Sequence, residues 1–182
     1  MRTETLFIKP SFYTRYFFVL MAVFFISVCV IGFGLDYQAI NAQHITLPWF
    51  VHVHGALLTA WLLVFLMQAV LAAKRNLQLH RRLGQISVAL GILAWISMAI
   101  VIFHAHIWLP YPNQIAWANL LFLLLTLCLF SLFFTRGIIN RKNAAAHKRL
   151  LLLATLILIA AGFNRVLIYA GVNATLEWIP GT

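Results

Sequence analysis

The sequence predicts an all-α, polytopic bundle of five membrane-spanning helices built as one domain over residues 1–182. Three observations predict it. The chain is 64% hydrophobic and only 9% charged, where soluble domains carry about 25% charged residues. Five apolar stretches, about Tyr16–Leu35, Trp49–Ala73, Leu83–Phe103, Ile115–Phe134 and Leu150–Tyr169, account for that composition. Each is near or above the roughly 20 residues a helix needs to cross a bilayer core at about 1.5 Å per residue. The charge also follows the spans. Arg2, Lys9 and Arg15 precede the first; Lys74, Arg75, Arg81 and Arg82 separate the second from the third; Arg136, Arg141, Lys142, Lys148 and Arg149 separate the fourth from the fifth. With five spans these segments share one side, which then holds every Lys and Arg except Arg165, while Asp36 and Glu177 lie opposite. The positive-inside rule makes the basic side cytoplasmic, with the N-terminus inside and the C-terminus outside. Attraction of the basic loops to anionic headgroups accounts for the net charge of +10, so no nucleic-acid partner is predicted.

Residues 1–14 read as a short lead with Pro10 as a breaker and Phe12 and Tyr13 at the interface. The first span is apolar all round and rich in aromatic residues, which predicts a retained signal anchor facing lipid rather than a site-bearing helix. Asp36 to Pro48 is a short piece between the first two spans and holds no soluble catalytic domain; Pro48 and Trp49 open the second helix. Within that helix His54, Trp61 and Gln68 fall at steps of seven, which drift by only about 20° per step and so share a face. Gln68 and a desolvated His54 are expensive against lipid, so the face should look into the bundle, either as packing and interhelical glue or as a ligand-lined stripe.

The third span carries Gly84, Ser87, Gly91 and Ala94 at steps of three and four, a small-residue face that lets helix backbones approach. His80 joins the same side if the helix begins early enough. Its outer end, with His104, His106, Trp108 and Tyr111, reads as a polar and aromatic rim. In the fourth span only Asn119, Thr126 and Ser131 interrupt the apolar run, and Ser and Thr can bond their own helix carbonyls, so no chemistry is assigned to them. Arg165 in the fifth is the one charge inside a span. It should face the interior, since a guanidinium at lipid-facing depth costs at least about 2.5 kcal/mol. It lies 18 residues after His147, five turns along the same face, or about 27 Å. Cys29 and Cys128 are thiols within spans, with neither disulfide nor metal-type spacing. Asn173-Ala174-Thr175 matches the N-glycosylation pattern on the outer side.

Two polar clusters follow from this topology. The outer one draws on His52, His54, His104, His106 and Arg165, with Asp36 and Asn164 nearby; the inner one draws on His80 and His147 among Arg and Lys. Imidazoles from neighbouring helices at matched depth are what an axial haem pair requires, and an arginine pairs with an anionic propionate. His54, His80, His147, Arg165, Gln68 and Trp61 are therefore the candidate cofactor-binding residues, with haem b the candidate cofactor, and His54, His104 and His106 are candidate metal ligands. The H-x-H pairs are poor chelators on a helix, because residues two apart point about 200° from each other. With three carboxylates in the chain, di-iron carboxylate chemistry and paired acid/base hydrolysis are excluded.

As an ordered set, His54-Gly55, Gln68, His80-Arg81-Arg82-Leu83-Gly84, His147-Lys148-Arg149-Leu150 and Arg165 make the chain resemble a family of bacterial inner-membrane proteins classed as a domain of unknown function. The resemblance runs from about His52 to Arg165. It implies a multi-pass bundle in a bacterial cytoplasmic membrane and supplies no activity; His44, His52, His104 and His106 lie outside its pattern. Three readings stand at this point. The first is a small redox or cofactor-handling protein. The second is an assembly factor or accessory subunit whose polar stripe packs helices and meets a membrane-protein partner or a second copy. The third is a lipid- or quinone-binding module using Arg165.

Overall fold

A computed structural model describes residues 12–44, 46–107 and 114–172, with side chains over 15–44, 46–104 and 120–172. Among these residues the chain is all-helical: α1 (Phe12–Ala42), α2 (Trp49–Ala73), α3 (Leu77–Ile107), α4 (Gln114–Ile139) and α5 (Ala144–Tyr169), with one 3-10 turn over Asn140–Lys142 between the last two. All five are long and apolar enough to cross a membrane.

Two helices exceed their expected spans. α1 continues through Asp36 to Ala42, so Asp36 belongs to a helix and not to an outer connection. α3 begins at Leu77, early enough to carry His80. Both basic turns fix the next helix in the same way. The Asn76 carboxamide accepts from Leu79 N–H at 3.2 Å and the Asn143 carboxamide from Ala146 N–H at 3.2 Å, each satisfying an orphan donor of a helix start. α2 closes before its turn with Arg75 N–H bonded to Ala72 O and Asn76 N–H to Leu71 O, a Schellman closure with Arg75 in the left-handed region at φ 58°.

Each helix packs on its neighbours in the chain, and α1 closes the ring onto α5. The contacts Phe18–Lys148, Gly32–Gly162 and Asp36–Arg165 join positions with nearly the same sequence separation, so α1 and α5 run parallel and in register. At their crossing a Cβ on Gly32 would run into the Gly162 carbonyl oxygen, and one on Gly162 would lie 3.2 Å from Cys29 Cα. Backbones therefore meet there without intervening side chains. This corrects the expectation of a peripheral first helix.

The small-residue face of α3 works differently from its expected role. Gly91 leaves room for the rings of Phe134 and Trp61, and Gly84 faces the Gln68 carboxamide, so the face admits side chains rather than a second backbone. Trp61, Met98, Phe130 and Ala154 form the buried core. The Trp61 ring meets Phe130 and Phe134 edge-on at 5.8 and 5.6 Å. Its indole N–H donates to Thr155 Oγ at 3.3 Å, while Thr155 passes its own proton to Leu151 O. Ser131 and Thr126 bond their own helix carbonyls as expected, and Ser131 Oγ also accepts from the Trp95 indole on α3 at 2.7 Å.

The seam gives a direct comparison. Gly32→Leu should lower the unfolding free energy in detergent by about 1–3 kcal/mol through overpacking. Gly34→Leu, where nothing lies within 4 Å, should change it by no more than about 0.5 kcal/mol. Denaturant titrations followed by tryptophan fluorescence compare the two.

Candidate functional site

The two basic turns and the start of α1 meet at one end of the bundle. A cavity of about 270 Å³ opens there, lined by Arg15 and Phe18 of α1, Phe65, Gln68, Ala69 and Ala72 of α2, Arg75 of the first turn, His80 of α3, and His147, Lys148 and Leu151 of α5. His80 and His147 occupy equivalent places. Each lies four residues after its capping asparagine and bonds that residue's carbonyl through its backbone N–H, at 3.1 and 2.9 Å. The repeated pattern Asn-x-x-x-His-(Arg/Lys)-Arg-Leu thus uses a cap to set the rotation of a helix and thereby aim a histidine.

The imidazole rings are 6.4 Å apart, centroid to centroid, at an interplanar angle of 85°. His147 Nδ1 lies 2.8 Å from Gly137 O and His80 Nδ1 lies 3.3 Å from Gln68 O. A carbonyl only accepts, so each ring donates from Nδ1, and in the neutral imidazole the lone pair is then on Nε2. That is the tautomer a metal-binding imidazole needs.

Gln68 is tied to the same place twice. Ser87 gives its hydroxyl proton to Leu83 O at 2.8 Å, so its oxygen accepts from the Gln68 amide at 3.1 Å. The amide orientation follows. It leaves Gln68 Oε1 buried and without a partner among the described residues, although this side chain lines the cavity. Arg15 Nε donates to Ala73 O at 2.8 Å, capping a carbonyl at the end of α2, and Lys148 Nζ lies 5.2 Å from the Phe18 ring centroid. The rim residues Arg15, Ala72, Arg75 and Lys148 are exposed.

The other candidates are not gathered into this site. His54 Nδ1 lies 3.0 Å from Ser97 Oγ; Ser97 donates to Ala94 O, so the imidazole donates and its Nε2 lone pair is free. His54 lines a second, smaller cavity of about 80 Å³ with Met98 and mostly apolar neighbours. His104 packs on the Phe50 ring at 4.5 Å, and His52 is exposed. Among the described residues no three His, Cys, Asp or Glu side chains come together as a metal site. The side chains of His106 and Asn119, as well as Trp108, Tyr111 and the Asn173 motif, lie outside the described residues. Trp61 is core and lines neither cavity.

Arg165 has its anion within the chain. Its Nε donates to Asp36 Oδ2 at 2.7 Å, Nη1 donates to Ala161 O at 3.1 Å, and the guanidinium lies 4.5 Å from the Phe33 centroid. It is an α1–α5 lock at the opposite end from His80 and His147, and lines neither cavity.

Arg15, Arg75 and Lys148 were not singled out by sequence reading, because they are unremarkable among juxtamembrane basic residues. The repeated asparagine cap before each histidine is the signal that relates the two turns. Comparison with protein-family models, curated proteins and solved structures gives no match. The Asp36–Arg165 lock makes its own prediction: Asp36→Asn and Arg165→Gln should each lower stability by about 1.5–3 kcal/mol, the range for hydrogen bonds to charged groups. The double variant should lose little more than either alone, as read by a double-mutant cycle of detergent unfolding.

Proposed function

We propose that the chain is a small redox protein of the bacterial cytoplasmic membrane that binds haem b at its basic, cytoplasmic end, where His80 and His147 would hold the iron. The N-terminus lies inside and the C-terminus outside, the orientation favoured by the basic residues around the two turns. The observation that carries the proposal is the His80–His147 pair, two rings from different helices, each donating from Nδ1 to a backbone carbonyl, which puts the lone pair of the neutral ring on Nε2. The rings lie 6.4 Å apart, centroid to centroid, close enough that both would reach one metal ion.

The remaining lining suits the same ligand. Phe18, Phe65, Ala69 and Leu151 offer an apolar wall for a macrocycle, and Arg15, Arg75 and Lys148 offer cations for its propionates. Haem supplies one-electron transfer when bound. His80 and His147 would hold the iron, the Gln68 and Gly137 carbonyls orient their rings, and Arg15, Arg75 and Lys148 would meet the acidic groups at the rim. A second reading, an anionic lipid or quinone headgroup in the same cavity, is favoured by a volume of about 270 Å³, at the lower edge of ordinary ligand pockets.

The test is the absorption spectrum of the full chain purified in mild detergent after expression with ample haem, air-oxidised and then reduced with dithionite. The expected result is near-stoichiometric haem with a Soret band that shifts on reduction, lost or strongly altered in His80→Ala and His147→Ala and retained in His54→Ala. A featureless spectrum from folded protein overturns the proposal, and co-purifying lipid or quinone would then support the second reading.

A further inference from the structure

The three cations at the cavity differ in how far they are already engaged. Arg15 spends its Nε on Ala73 O, and Lys148 rests on the Phe18 ring. Arg75 also lines the cavity, and its guanidinium has no partner among the described residues. Its backbone is also unusual: at φ 58° it fills the C′ position of a Schellman closure, where glycine is the residue without a steric penalty. The equivalent position after α5 is indeed a glycine, Gly171, at φ 75°. There Gly171 N–H bonds Ile168 O and Val172 N–H bonds Leu167 O, in the same pattern. An arginine in this conformation is disfavoured locally. What it adds over glycine is a charged side chain at the rim of the His80–His147 cavity.

From this we propose that Arg75 is a specificity-determining residue that binds a carboxylate of the ligand, holding a haem propionate by charge-assisted hydrogen bonds. The proposal rests on the haem reading of the same cavity. Arg75 belongs to the turn between α2 and α3 at the exposed rim, so the carboxylate it binds would lie there, with Phe18, Phe65 and Leu151 offering apolar lining. A planar guanidinium offers the paired donors that match a carboxylate.

The conformation makes the test discriminating, because removing the side chain should not harm the fold. Arg75→Gly relieves the left-handed backbone and Arg75→Asn tolerates it. Both variants of the full chain are titrated in detergent with ferric protoporphyrin IX and with its dimethyl ester, and their melting temperatures are measured without added haem. The expected result is that both melt at or above the wild-type temperature and bind the free acid roughly 10- to 100-fold more weakly, the loss of one charge-assisted interaction. Wild type should prefer the free acid over the ester, and this preference should shrink in both variants. Wild type that binds the free acid while the variants bind it equally well overturns the role of Arg75 and leaves the haem reading standing. Variants that both melt well below wild type show a structural role for Arg75 and overturn the proposal. Wild type that binds neither porphyrin overturns the haem reading itself and this inference with it.

Discussion

The contact on which the rest of the molecule depends is the crossing of α1 and α5 at Gly32 and Gly162, where no side chain separates the two backbones. Lipid tails are as apolar as leucine, so nothing like the hydrophobic effect drives one helix against another inside a bilayer; close packing and interhelical polar contacts must do it. The two glycines permit the approach, and the Asp36–Arg165 pair one turn further on fixes the register. An unpaired Arg165 would be costly at that depth, whereas paired with Asp36 and resting on Phe33 it ties the first helix to the last. The ring is closed in this way.

Closure at the Asp36–Arg165 end has its consequence at the opposite end of the bundle, about five helical turns away. Because α1 and α5 are parallel and in register, the start of α1 comes to rest beside the start of α5 and the end of α2, where Arg15 reaches Ala73 and Lys148 reaches Phe18. The two basic turns complete the enclosure, and their asparagine caps aim His80 and His147 at each other's neighbourhood. The polar residues are accordingly divided in function: Asp36, Arg165, Trp61, Thr155 and Ser131 hold helices together, while His80, His147, Gln68 and the cations around them present unused donors and acceptors to a cavity.

Much of this was legible in the sequence where a single helix carries the information. Apolar length revealed the five spans, and the heptad steps of His54, Trp61 and Gln68 identified an inward face, with Gln68 and Trp61 now seen bonded to other helices. What stayed hidden depends on pairs distant in the chain. Asp36 reads as one nearby group among several for Arg165, and the ion pair emerges only when α1 continues past Leu35 and is laid against α5. α1 reads as peripheral because its apolar residues surround it evenly, and one glycine in an apolar run does not announce a crossing. The His80–His147 pairing was visible as a candidate, but the tautomers that give it chemical meaning depend on the carbonyls of Gln68 and Gly137, which no side-chain pattern reveals.

The central claim is that a histidine from α3 and a histidine from α5 hold one iron. Low-temperature electron paramagnetic resonance of the oxidised, haem-loaded full chain tests it most directly. A low-spin ferric signal in wild type that converts to high spin when either His80 or His147 is replaced by alanine is the predicted result. A high-spin wild-type centre, or a low-spin signal that survives both substitutions, would contradict it.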